Sequence, residues 1–255
     1  MDKSESLFNS YSKYYDLLYR DKDYYGEASY VKNLLVEYGV SKGELLEFGS
    51  GTGKHGRLLA EHGYRVHGIE RSNAMVKEAL AFKDQTTGFT CQQGDICSVS
   101  MGRNYEAVIS LFHVISYQTS NDDLNEVFTR AAQHTKKKGL FIFDFWYGPA
   151  VCAQRPSIRI KRMEDKQVEV TRISEPIFKP NENRVDVKFT NYVRDLTSGA
   201  IQIITENHPM RFFSLPEIDL YANLHGFERI AAEEFLTGKS PSEDTWGVCV
   251  TLQKN

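Results

Sequence analysis

The sequence has few cysteines, no long apolar run and no surplus of positive charge, and each shortage narrows what it can do. Its four cysteines, Cys91, Cys97, Cys152 and Cys249, are scattered. No Cys-x-x-Cys pair occurs and the histidines lack ligand spacing, so no metal is expected. Lone thiols of this kind suit a reducing cytoplasm. No segment approaches the run of about 20 apolar residues that a membrane helix needs. Met1 to Ser10 is polar, without the apolar stretch of a secretory signal, so a cytoplasmic location off the membrane is expected. Lys and Arg number 31 against 34 Asp and Glu, a net charge of −3. Without a basic stripe to neutralise a row of phosphates, a nucleic-acid polymer is a poor partner; a small molecule is the better expectation.

What is present is an ordinary globular composition: 255 residues, 41% hydrophobic, enough for one core with a large insertion. Up to Pro149 the pattern alternates between strand and helix. Strand candidates are Glu44–Phe48, Tyr64–Glu70, Phe89–Gln92, Ala107–Leu111 and Leu140–Phe145. Helical patterns cover Lys54–His62, a stretch from an N-capping Ser72 to about Phe82, and Asp122–His134. Lys136-Lys-Lys-Gly139 reads as the cationic end of the last of these. Such alternation predicts a mostly parallel, doubly wound Rossmann-like sheet covered on both faces. Ahead of it, Leu7–Tyr38 reads as a Tyr-rich helical cap. After Pro149, Arg159–Phe178 and Arg184–Arg211 alternate apolar and polar residues, with turns at Pro180-Asn-Glu-Asn and Thr197-Ser-Gly. These predict an antiparallel β insertion following strand five. A helix at Leu215-Pro-Glu and a strand at Trp246–Leu252 then complete the core. The expected organisation is one domain: residues 1–40 cap, 41–150 cofactor core, 151–213 β-rich insertion, 214–255 end of the core.

The chemistry is concentrated at Glu47-Phe-Gly-Ser-Gly-Thr-Gly53, where a strand ends in a glycine turn and a helix begins. Such a turn offers backbone N–H groups to a ligand that approaches closely. A P-loop fails, because Gly53-Lys54 is followed by His55 and the position five before Gly53 is Phe48. A dinucleotide fingerprint can be read on Gly51, Gly53 and Gly56, but the acid expected about 20 residues on is replaced by Glu70, much nearer. S-adenosylmethionine suits the spacing better. Glu47 would meet its cationic methionine end, Glu70 its two ribose hydroxyls, and Asp95 in Gly94-Asp-Ile its adenine. Three acids after successive strands fall along one sheet edge, where such folds bind ligands.

Residues 40–147 resemble the class I methyltransferase family, on Leu45-Leu-Glu-Phe-Gly-Ser-Gly-Thr-Gly53, Val66-His-Gly-Ile-Glu-Arg-Ser-Asn-Ala-Met75, Gln93-Gly-Asp-Ile96 and Gly139-Leu-Phe-Ile-Phe-Asp144. Tyr15-Asp-Leu-Leu-Tyr, Lys22-Asp-Tyr24 with Glu27-Ala28, Ser110-Leu-Phe-His-Val-Ile-Ser-Tyr117 and Phe145-Trp-Tyr resemble a bacterial subgroup. That subgroup includes N,N-dimethyltransferases of nucleotide-linked aminosugars. The resemblance implies an N-terminal helix closing over the cofactor and an insertion that receives the acceptor. It implies transfer of a methyl to N or O of a small acceptor, a nucleotide-linked (amino)sugar or a surface-polysaccharide or natural-product precursor, leaving S-adenosylhomocysteine. A homodimer through the β insertion is a further expectation.

The expected catalytic residues are Tyr15 and His113. Tyr11, Tyr15 and Tyr19 recur at helical spacing, which also suits plain packing. His113 follows strand four, where a base is wanted, though it also fits a structural role in the wall. Expected cofactor contacts are Tyr24, Glu47, Gly49, Gly51, Gly53, Glu70, Arg71, Met75, Asp95, Ile96 and Leu111. Expected acceptor contacts are Tyr117, Trp146, Tyr147 and Arg211. Arg155, Arg159, Arg194 and the Glu206-Asn-His208 stretch are weaker candidates for an acceptor diphosphate. His55, His62 and His67 read as structural or exposed. Two other readings stay open: a nicotinamide-dependent oxidoreductase, and a protein that binds S-adenosylmethionine without catalysis.

Overall fold

Two patterns in the chain, strand–helix alternation and long hairpins, give two sheets that meet on one strand. In a computed structural model, residues 14, 17–81 and 87–255 are described; Tyr11 and Tyr15 lie outside them. Helix α1 (Tyr24–Glu37) starts where the Asp23 carboxylate accepts the Gly26 N–H at 2.8 Å. It buries Ala28, Val31 and Leu35 at the i, i+3, i+7 spacing of one helix face. Then come β1 (Glu44–Phe48), α2 (Lys54–Glu61), β2 (Arg65–Glu70), α3 (Asn73–Ala81), β3 (Phe89–Gln93), β4 (Tyr105–Ser110), α4 (Asn121–His134) and β5 (Thr135–Tyr147). The five strands run parallel in the order β3-β2-β1-β4-β5. β1, β4 and the second half of β5 are buried on both faces and mostly apolar, whereas β3 at the sheet's edge alternates buried and exposed residues.

Helix α5 (Gly148–Gln154) leads into β6 (Arg159–Glu164), β7 (Val168–Lys179), β8 (Arg184–Asp195) and β9 (Ile201–Phe213), a fully antiparallel sheet. Among the described residues its backbone pairs with the core only where Trp146 and Tyr147 of β5 meet Phe212 and Phe213 of β9. Helix α6 (Leu215–Leu224), capped by the Ser214 hydroxyl, returns the chain to the core. Strand β11 (Gly247–Lys254) then lies antiparallel against β5, with β10 (Phe227–Glu234) beyond it. Among the described residues no helix is long and apolar enough to cross a membrane.

Arg159–Phe178 holds two antiparallel strands, with a turn between them where the Asp165 carboxylate accepts the N–H groups of Gln167 and Val168. Two expectations need correcting. Strand β10 was not expected; its sequence, Phe227-Glu-Arg-Ile-Ala-Ala-Glu-Glu, is broken by a register shift and does not alternate cleanly. The Lys136–Lys138 run does not close α4. The helix ends at His134, and Thr135 already pairs with Tyr105. Pairing next resumes at Ala107 with Leu140, so the lysines form a bulge, with Lys138 at φ 62° and Lys136 paired to Glu106.

Candidate active site

The turn after β1 is shaped by contacts on both sides. Gly49 has φ 71°, and a Cβ there would lie 2.6 Å from two methyl groups of Val114. The N–H groups of Gly49 and Ser50 donate to the Ile69 carbonyl, folding the turn over the end of β2. There Glu70 is held at both oxygens: Gly51 N–H donates to Oε2 at 2.9 Å and Ser72 N–H to Oε1 at 2.7 Å. Burial raises the Glu70 carboxyl above the usual carboxylate range, against the pull of these N–H groups. Beyond β3, Asp95 accepts the Cys97 N–H at 2.9 Å and stands 3.8 Å from the Arg71 guanidinium.

A cavity of about 730 Å³ opens at this edge of the sheet. Gly49, Gly51, Glu70, Arg71, Met75, Asp95 and Ile96 line one part of it, and Tyr24, Leu111, His113, Tyr117 and Trp146 the next. Twelve of the expected site residues thus share one space. Glu47 and Gly53 do not line it. Glu47 lies beneath the turn, where a Cβ on Gly56 would come within 2.5 Å of its Oε2. That oxygen is buried without a hydrogen-bond partner, and burial pushes the carboxyl up to about 8. Glu47, expected at the ligand's methionine end, thus stands below the turn and not in the cavity wall. Tyr15 falls outside the described residues.

Two expected acceptor contacts are elsewhere. Arg211 is buried, with Nη2 donating to Glu217 Oε1 at 2.6 Å and to Asn121 Oδ1 at 2.8 Å. It ties β9 to the starts of α6 and α4, so a structural ion pair accounts for it. Tyr147 packs on the central core beside α5, away from the cavity. Of the weaker candidates, Arg159 and His208 reach the cavity. Arg155 lies over the Phe178 ring, and Arg194 faces Glu169 at the surface.

His113 is the most constrained side chain in the wall. It and Phe112 both adopt left-handed φ (61° and 68°), a strained conformation for residues with a Cβ. The strain is held by Asp144 on β5, which is fully buried. The His113 backbone N–H lies 3.1 Å from both carboxylate oxygens. Nδ1 approaches Oδ2 to 2.7 Å, off the ideal hydrogen-bond line. Burial alone would raise the Asp144 carboxyl; the charge and hydrogen bonding of His113, with Lys22 beyond, outweigh it and hold it below its ordinary value. Nε2 of His113 carries no hydrogen bond from the described chain.

Of the opposite wall, sequence reasoning named His208 and missed Arg172 and Phe189. Arg172, Phe189 and His208 project from the insertion, and Tyr19 and Phe112 complete that side. A signal was available: Arg172 follows Val168 and Val170 in strict alternation, and Glu206 and His208 stand between Ile204 and Met210. Ionisable residues at core-facing positions of a strand mark a polar interior. His55, read as structural, lines the cavity too, and its Nε2 lies 2.7 Å from the buried Glu27 of α1, which also holds Lys22. This fastens α1 to the helix that follows the glycine turn.

Residues 45–139, from β1 to the bulge in β5, match a family model described as a methyltransferase domain. The chain carries a methyltransferase domain. Two curated relatives extend the similarity past this domain. One is a dTDP-3-amino-3,4,6-trideoxy-alpha-D-glucopyranose N,N-dimethyltransferase of Streptomyces venezuelae, 28% identical over 179 residues, covering 69% of this chain and 73% of that protein. Another, of Streptomyces fradiae, is a dTDP-3-amino-3,6-dideoxy-alpha-D-glucopyranose N,N-dimethyltransferase, 27% identical over 205 residues, covering 78% and 76%. Among solved structures, an S-adenosylmethionine-dependent methyltransferase from Clostridium acetobutylicum shares the fold, with TM-score 0.82 and 20% identity over 97% of this chain and 99% of that one. The methyltransferase domain thus supplies the glycine turn, Glu70, Asp95 and His113, while the insertion lies outside its bounds.

Proposed function

We propose that the protein transfers a methyl group from S-adenosylmethionine to the amine of a nucleotide-linked aminosugar. The observation that carries this reading is the single cavity, continuous from Glu70 at the end of β2, past His113, to the inner face of the insertion. The residues present fit the donor. Glu70, already fixed by two backbone N–H groups, keeps lone pairs for a ribose diol. Asp95 offers an acceptor to the adenine amine between the apolar Met75 and Ile96. Backbone at Gly49 and Gly51 leaves room for the methionine end, with Tyr24 near it. When bound, S-adenosylmethionine supplies an electrophilic methyl on its sulfonium centre.

The chain's own work is to place the acceptor and take its proton. An imidazole whose Nδ1 faces a buried carboxylate keeps its proton on that side. Nε2 of His113 is then the lone pair that receives the proton an amine must shed. Asp144 steadies the charge that results. Trp146, with its ring centroid 6.3 Å from that of His113, walls the spot against water. Holding two reactants in place supplies effective molarities on the order of 10⁵–10⁸ M, so positioning carries most of the rate. The relatives' named substrates and the polar insertion wall support an aminosugar acceptor. The reading is tested by mixing the protein with S-adenosylmethionine and a dTDP-aminosugar. S-adenosylhomocysteine and a sugar heavier by one or two methyl groups are expected; no product across several such sugars would reject it.

The same reading treats the chain as one catalytic unit, the cap and insertion closing over the cofactor core. The return of β11 to β5 after the insertion supports it. The four free thiols fit a cytoplasmic setting. The outer face of the insertion exposes Ile160, Ile201 and Ile203 at 60%, 64% and 61%, next to Tyr192. Exposed isoleucines beside the Lys188–Glu175 and Arg194–Glu169 pairs support a homodimer built through a second copy of this sheet, apolar and charged groups both being available to it.

A further inference from the structure

Charge is unevenly spread along the cavity. The carboxylates that line it, Glu70, Asp95 and Asp123, all stand on the methyltransferase core, where Lys54 and Arg71 balance them. The end lined by the insertion carries Arg159, Arg172 and His208 and, among the described residues, no carboxylate. Glu206 lies behind His208, with Oε2 3.3 Å from Nε2, and does not line the cavity. Cations left unbalanced on one wall favour an anion at that end.

The two arginines do different work. Arg172 on β7 donates from Nη1 to the Tyr19 hydroxyl at 3.1 Å. Its guanidinium also lies over the rings of Phe189 and Tyr19, at 4.8 and 5.3 Å from their centroids. These contacts hold the cap against the insertion. Arg159 begins the edge strand β6, is exposed, and forms no ion pair with the described residues. Its cross-strand neighbour is Ser174, whose own neighbour on β8 is Phe189, and all three line the cavity. Ser157, from the loop before β6, lines it too. A planar guanidinium beside two hydroxyls is a donor set that suits phosphate oxygens.

Position decides which part of an acceptor meets this set. Trp146 stands beside His113, and Trp246 packs on Trp146 with ring centroids 5.7 Å apart. A sugar that presents its amine to His113 lies against that wall. Arg159 is farther out, because the order β9-β8-β7-β6 puts three strand spacings, roughly 14 Å, between β9 and β6. What reaches it is the group that extends from the far side of the sugar. We propose that Arg159, with the hydroxyls of Ser157 and Ser174, binds the diphosphate that joins the acceptor's sugar to its nucleoside. The proposal rests on the aminosugar reading above and assigns the part of that acceptor which the insertion end takes.

Calorimetry with dTDP, on protein saturated with S-adenosylhomocysteine, reads this site without methyl transfer. dTDP should bind, and more tightly than thymidine. Arg159→Gln should weaken dTDP by about three- to tenfold, and Arg159→Glu by more. Both variants should melt and bind S-adenosylhomocysteine as the wild type does. With a dTDP-aminosugar, Arg159→Gln should raise KM by a similar factor at unchanged kcat. dTDP that binds only when S-adenosylhomocysteine is absent occupies the donor's place and overturns the proposal. So does an affinity for dTDP that neither substitution changes. If dTDP-aminosugars are methylated with a KM indifferent to Arg159, the aminosugar reading stands and this proposal falls. If none is methylated, that reading falls, and the calorimetry alone decides whether a nucleoside diphosphate binds at Arg159.

Discussion

Glu70 and Asp144 are both buried carboxylates, but their partners set them to different tasks. Glu70 spends one lone pair of each oxygen on the backbone and keeps the rest for a ligand. Replacing it with Gln should weaken S-adenosylhomocysteine binding by about 10- to 100-fold, the equivalent of losing one or two charge-assisted hydrogen bonds. Calorimetry that finds unchanged affinity would remove Glu70 from the site. Asp144 faces inward to His113. Its folded carboxyl sits below the ordinary 3.8, so its ionised form stabilises the fold above that pH, and the contribution is lost as pH falls through the folded value. Asp144→Asn should therefore melt lower than wild type near pH 7, with the gap shrinking in melts below about pH 4. Its methyl-transfer rate at neutral pH should fall as well. A gap that stays constant with pH would show that His113 and Asp144 do not share charge. Neither pairing of side chains could be found from the sequence. His113 and Asp144 are 31 residues apart and Tyr117 and His208 are 91 apart, so no local period links them. Glu47 shows the opposite limit: the motif marks its place on the strand, while its burial beneath the turn depends on Gly56 and Phe89 packing over it.

Among elements, the turn after β1 and the 3₁₀ turn after β4 touch at one point, Gly49 against Val114. Gly49→Ala places a methyl inside that contact at a positive φ, a combination that costs about 1–3 kcal/mol. We expect the variant to melt about 2–8 °C lower. S-adenosylhomocysteine binding should weaken with it. An unchanged melting temperature would mean the two turns are not in contact. The strands and helices of the core were readable because a buried parallel strand is a continuous apolar run and its covering helices carry a 3.6-residue period. Where the period fails, so did the expectation. β10 interleaves Glu and Ala at the sheet's edge, and its place is decided by pairing with β11. The lysines after α4 looked like a helix end because cations favour that position; pairing of Thr135 with Tyr105 overrides this local preference. Arg211 was expected at the acceptor because Arg binds phosphate, and Glu217 six residues on claims it first.

At the scale of the whole molecule, the two faces of the insertion differ in character. The inner one sets Arg172 and His208 among apolar residues such as Val187 and Phe189 and lines the cavity; the outer one exposes Ile160, Ile201 and Ile203. Ile203→Arg should convert the proposed dimer to a monomer in sedimentation or light scattering, while leaving the melting of the core nearly unchanged. A wild type that sediments as a monomer at micromolar concentration would dispose of the dimer. Among the described residues the two sheets are joined by backbone pairing only at Trp146 with Phe212 and Tyr147 with Phe213. Side chains fasten the rest of the seam, Arg211 to Asn121 and Glu217, and His208 to Tyr117. A redesign of the cavity wall therefore has room on β6 to β8, whereas β9 carries the rivets that hold the insertion in register with the core.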